Sequence, residues 1–200
     1  MYWLAAFLTL LAAPFWESKA PPNWTDPELQ QMFTDSPWAQ MLTSAGPVNE
    51  PPVQIYLATA APMQQAERER DARNQRRRPP GAPAVENPLA EEYRAWFEEN
   101  HVTQIVLAVR IHNNSAFFDE KETRRMEEES VMRVGRKKLK MTGHFPPDAK
   151  DPYLRMAFPR SVDSSARSVS FDLYLPGVPM PFREVEFKLK DLLVNGKLEM

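Results

Sequence analysis

The sequence predicts an antiparallel β-sandwich that carries helical insertions, and three observations support it. From residue 130 onward the apolar residues recur at every second position, the signature of strands with one wet face. Short runs of this kind are separated by Pro, Gly, Asp and Ser clusters that end one strand and turn into the next. In VTQIVLAVRI at 102–111 the centre is apolar on both faces, as in an interior strand. Together these fit an immunoglobulin-like sandwich of α+β content that is mainly β. The alternative is an α/β layer formed by residues 53–111 and packed on a C-terminal antiparallel sheet.

Residues 2–16 form an uncharged apolar run followed by Glu17, Ser18, Lys19 and Ala20. The run is too short to cross a bilayer, which takes about 18 residues or more, and it reads as the core of a secretory leader. Small residues at 18 and 20 favour cleavage after Ala20, so residues 1–20 are expected to be a signal peptide and Pro21 the first mature residue. No Lys or Arg precedes the run, which leaves an uncleaved anchor or a buried N-terminal helix as the other readings.

Residues 21–52 are expected to be a Pro-rich helical arm. WTDPELQQMF and TDSPWAQML each open like a helix, with Thr25 or Asp26 capping before Pro27 and Ser36 before Pro37. Trp24, Phe33 and Trp38 are large apolar groups that must dock on the body or on a partner. The remainder, 53–200, is predicted to be a single sandwich-like domain with a helical insertion near 62–100. VQIYLATA at 53–60 is strand-like until Pro62, and residues 63–78 form a largely solvated helix. Residues 79–88 are a linker by proline content. Asn87 and Pro88 start a helix whose Leu89, Tyr93, Trp96 and Phe97 share one face. VMRVGRKKLKMTGHF alternates across a turn at Gly135 and predicts a hairpin; YLRMAF, SVSFDLYL and EVEFKLK are the strands that follow.

Composition narrows the function classes. The 200 residues carry 25 Lys+Arg and 27 Asp+Glu, a net charge of -2, so no global field draws nucleic acid or an anionic membrane. The absence of cysteine excludes disulfides, thiol chemistry and Cys-based zinc sites. The six glycines are never closer than eight residues, so there is no phosphate-cradling loop and no dinucleotide fingerprint. There is no G-x-S-x-G elbow. His101, His112 and His144 lack ligand spacing, and the paired carboxylates fall on charged helices, where a solvated face explains them. No catalytic residue, cofactor or metal site is therefore assigned.

Two basic runs remain. Arg76, Arg77 and Arg78 end the 63–78 helix, where arginine also serves the last carbonyls. Arg136, Lys137 and Lys138 surround the Gly135 turn, where lysine also guards a sheet edge. Neither run is interleaved with aromatics, which disfavours single-stranded nucleic acid. With Trp24, Phe33 and Trp38 these six cations are the candidate partner contacts.

TDSPWA at 34–39, IYLATAAPMQQA at 55–66 and FKLKDLLVNGKLEM at 187–200 resemble patterns in a group of uncharacterised exported bacterial proteins. The resemblance implies bacterial export and transfers no activity. The expected function is that of an exported, periplasmic or extracellular, non-enzymatic module that binds another envelope protein or an anionic envelope component. The alternative is an envelope-polymer hydrolase whose carboxylates converge only in the fold.

Overall fold

The computed structural model describes residues 13–43, 51–81, 87–163 and 165–200. Residues 1–12 of the expected leader, 44–50 of the arm and 82–86 of the linker lie outside them. The described residues form two antiparallel sheets packed on each other with helices inserted between strands, as the alternation from residue 130 requires.

The first sheet has the order β1 (Ala39–Leu42), β2 (Val53–Leu57), β3 (Gln104–Arg110), β7 (Tyr153–Pro159), β6 (Gly143–Phe145). The second has the order β5 (Lys137–Lys140), β4 (Val131–Val134), β8 (Ser168–Tyr174), β9 (Phe182–Lys188). A two-stranded ribbon, β10 (Leu193–Val194) with β11 (Lys197–Leu198), closes the chain. Strand alternation assigns each face. Leu154, Met156 and Phe158 of β7 point at the second sheet, where the Phe158 ring meets Phe171 edge-on at 5.2 Å. Facing them from β8 and β9 are Val169, Leu173, Val185 and Phe187, all buried.

The opposite face of the first sheet is covered by helices, which explains why β2 is buried along its whole length. Tyr56, Ala108 and Arg155 stand in one register row on that face. Above them lie α2 (Asp26–Thr34), α3 (Ala61–Arg76) and α4 (Pro88–Asn100). Tyr56 Oη donates to Glu67 of α3 at 2.6 Å, Arg70 Nη1 donates to Tyr153 Oη at 3.2 Å, and the Arg155 guanidinium sits 4.2 Å over the Tyr93 ring of α4. Burial, with Glu67 beside it, pushes the Tyr56 hydroxyl well above its ordinary value, so the group is a permanent donor. The 53–111 alternative thus places its helices correctly but not its strands: β2 and β3 are antiparallel neighbours, and no parallel crossover exists between them.

Several expectations hold in detail. Helix α2 starts with Pro27 in its first turn and a reciprocal capping box, Thr25 accepting from Glu28 N and Glu28 accepting from Thr25 N. Asn87 caps α4, accepting from Ala90 N. Strand β3 is interior, between β2 and β7.

Others do not. The second helix expected in the arm is instead β1, because Ala39–Leu42 finds a ladder partner in Val53–Tyr56. Ser36 does not cap a new helix; its hydroxyl donates back to Met32 O at the end of α2. Residues 24–42 are therefore built into the sandwich. Helix α3 is less solvated than its sequence predicts, since Met63, Ala66 and Glu69 are buried against the sheet and α2. The run at 130–145 is a hairpin only to Lys140. At Met141–Thr142 it leaves the second sheet, and β6 then joins the edge of the first, with Thr142 N donating to Ala157 O at 2.8 Å.

Near the N-terminus, the one-turn helix α1 (Phe15–Ser18) lies against this core. Phe15 meets the Trp24 ring at 5.6 Å and Trp16 meets the Trp38 ring at 5.9 Å, both edge-on. Between β8 and α5 (Glu120–Glu129), the Arg125 guanidinium lies 4.3 Å over Tyr174, whose hydroxyl donates to Glu122.

Candidate functional site

The nine candidate contacts separate into three groups. Trp24, Phe33 and Trp38 are 3%, 4% and 0% exposed, so as partner contacts they are corrected: they fill this chain's own core. Trp38 Nε1 donates to Glu199 O and Trp24 Nε1 to Lys19 O, which satisfies both indoles internally.

The arginines at the end of α3 are engaged in ion pairs at the surface. Arg76 pairs with Glu69 at 2.9 Å and Arg77 with Asp26 at 2.9 Å. The neighbouring Arg73 bridges Asp26, Glu69 and the carbonyl of Trp24. Hydrogen bonds from Arg73 hold the Asp26 and Glu69 carboxyls below their ordinary range. This network ties α3 to α2 and engages Arg76 and Arg77, whose side chains nevertheless stay largely exposed. Arg78 follows them at the helix end and is also engaged.

The third group is different. Gly135 takes a φ of +57° and turns β4 into β5, which puts Arg136 and Lys137 at the tip of the hairpin, both exposed. Pairing of Val134 with Val169 brings Arg167 and Ser168, at the start of β8, beside that tip. The segment before them adds Asp163, Ser165 and Ala166, and together these residues line an open concavity of about 500 Å³. Its floor includes Val134. Asp163 accepts from both the backbone N and the hydroxyl of Ser165. Those bonds, followed by the charge of Lys137, keep its carboxyl below the ordinary range. Three cations thus surround one carboxylate that is already committed to Ser165. Lys138 points to the outer face of the second sheet, opposite Arg133. It stands outside the concavity but adds to the positive field at its rim.

Arg167, Asp163 and Ser165 were not legible as site residues. Some 30 residues separate them from the Gly135 turn in sequence, and only the β4–β8 pairing joins them. The local signal, a Ser- and Arg-rich stretch at 160–168, is that of any polar loop.

A second concavity of about 370 Å³ lies between the edges of β1 and β9, lined by Met41, Leu42, Thr43, Met180, Phe182, Arg183 and Glu184. Each concavity holds a single carboxylate. Among the described residues no group of three or more His, Asp and Glu side chains is placed to hold a metal ion. His144, half-buried, faces Glu127 at 3.2 Å, and His101 caps α4 with its ring against Phe97 O. No helix of the described residues is long and apolar enough to cross a membrane. No protein-family description, no curated protein and no solved structure matches this chain.

Proposed function

We propose that the protein is an exported, non-enzymatic binding module that holds an anionic group of the cell envelope in the concavity at the β4–β5 turn. The observation that carries this reading is that Arg136, Lys137 and Arg167 converge there from two strands, while most of the other basic run is consumed by ion pairs. Three cations set around a single carboxylate on an exposed rim attract anions by an electrostatic field that salt screens. Arginine supplies a fork suited to phosphate oxygens. Export is supported by the uncharged apolar run at 2–16 followed by small residues at 18 and 20. The hydrolase alternative has no paired carboxylates in either concavity to support it.

The test is a titration with a soluble short-chain phosphatidylglycerol, below its micelle concentration, against the matched phosphatidylcholine. Amide shifts are followed at Gly135, Arg136 and Ser165. Saturable shifts with the anionic lipid alone, weakened about tenfold or more by Arg136→Glu with Arg167→Glu and by added salt, are expected. Equal shifts with both lipids, or none with either, overturn the reading.

A further inference from the structure

We infer that the outer face of the second sheet is self-complementary and docks a second copy of this chain about a twofold axis parallel to its strands. Strand pairing sets the outward residues in rows. One row is Lys138, Arg133, Ser170 and Glu186; the next is Lys140, Val131, Asp172 and Glu184. Two lysines thus stand on β5 at one edge and two glutamates on β9 at the other, all four exposed. Between them Arg133 pairs with Asp172 at 2.6 Å, which leaves the middle of the face close to neutral. Among the described residues, none of the four edge charges has an ion-pair partner.

Distance keeps the two edges from neutralising each other within one chain. Strand spacings put β5 about 14 Å from β9, beyond the screening length of about 8 Å at physiological salt. A half-turn about an axis parallel to the strands keeps each row at its own height and exchanges the edges. Lys138 then faces the partner's Glu186 and Lys140 the partner's Glu184, and symmetry repeats both pairs. Sheets stack about 10 Å apart, a gap that a lysine and a glutamate bridge together. A half-turn about an axis across the strands sets lysine on lysine, so charge selects the first arrangement. Edge-to-edge pairing is obstructed on both sides. Gln40 of β1 donates to the Glu186 carbonyl at 2.6 Å, and the chain passes from β5 directly to β6 on the first sheet.

Two neighbours bound the matched area. Beyond the Glu184 row, Arg125 of α5 lies 4.3 Å over Tyr174 and 5.6 Å over Phe182. Beyond the Glu186 row, Lys188 on β9 opposes the cations of the partner's Gly135 turn. Two rows make a small interface, so the association is weak and salt-sensitive. The axis leaves both Gly135 turns at the same end of the pair. Where this rests on the anion-binding reading, it sets two concavities side by side as a bivalent site for one anionic surface. The association itself is tested without lipid, so the two readings fail separately.

Sedimentation velocity of the full chain reads the association from about 10 μM to about 1 mM, the range of weak interfaces. A dimer that grows with concentration is expected, weakened about tenfold or more between about 50 mM and about 500 mM NaCl. Lys138→Glu with Lys140→Glu, and separately Glu184→Lys with Glu186→Lys, are each expected to be monomeric. An equimolar mixture of these two variants is expected to dimerise again, because one presents two acidic edges and the other two basic ones. Lys188→Glu leaves the four edge residues intact and is expected to tighten the dimer. A chain that stays monomeric at low salt, a dimer indifferent to salt, a mixture that does not associate, or a Lys188→Glu dimer no tighter than the parent overturns the inference.

Discussion

Trp38 and Glu199 are joined across 161 residues by a 2.8 Å hydrogen bond from the indole Nε1 to the backbone carbonyl. The indole has no solvent exposure, and the neighbouring Met200 is buried at 3%. Trp38→Phe keeps most of the ring area but leaves the Glu199 carbonyl without its donor, a cost of about 1–3 kcal/mol. Trp38→Ala adds a cavity and is expected to cost about 3–5 kcal/mol. Urea unfolding of the two variants orders them. Equal midpoints would show that the indole N–H contributes most of what Trp38 does.

Acid should loosen the contact between α2 and α3. The Glu69 carboxyl is held below its ordinary value of 4.5 by hydrogen bonds from Arg73 and Arg76. A carboxylate with a depressed folded value contributes stability that is complete above 4.5 and lost as pH falls through the lower folded value, because the unfolded chain then binds the proton first. Glu69→Gln is expected to lower stability at neutral pH and to flatten the loss below pH 4.5. The check is the urea midpoint measured from pH 7 to pH 2.5 for both chains.

His144 adds a loss of the same sign that begins at a higher pH. Burial pushes its imidazole below 6.5, and the nearby Glu127 only partly restores it. The unfolded chain therefore takes up this proton first as pH falls, so stability is constant above 6.5 and declines below it until the folded value is passed. His144→Gln should remove that decline, and Glu127→Gln should steepen it. An imidazole titration by NMR with a midpoint at or above 6.5 would contradict the account.

Two glycines test the loops. Gly177 has a φ of +72°, and a Cβ there would lie 2.9 Å from Ala116 Cβ and 3.3 Å from the Asn113 carbonyl. Gly135 has a φ of +57° with open space around it. Gly135→Ala is expected to cost about 1–2 kcal/mol for the left-handed backbone alone. Gly177→Ala carries that cost and a clash in addition. Thermal melts that place Gly135→Ala below Gly177→Ala would refute the close approach of the 113–118 turn.

The elements that were legible are those whose signal is local. The Thr25–Glu28 capping box, the Asn87 cap and the two-residue alternation of β8 and β9 each reside within one element. Residues 39–42 misled because Ser36-Pro37 imitates a helix start, while the strand partner that overrides it begins at Val53. The passage of 137–145 from one sheet to the other leaves no mark on the alternation, which continues unbroken across Met141–Thr142. For the candidate site, the hairpin cations were visible as a run, but Arg167 and Asp163 join them only through the pairing of β4 with β8. Nor did composition distinguish the arginines bound to Asp26 and Glu69 from those left open.

Because the Trp38 indole meets the Trp16 ring and also donates to the Glu199 carbonyl, segments far apart in sequence close on one side chain. Contacts of such separation form late and slowly, after the loop between them has closed. Trp38 is therefore a built-in optical reporter of the finished fold, because its surroundings are complete only when the segments around residues 16 and 199 have both arrived.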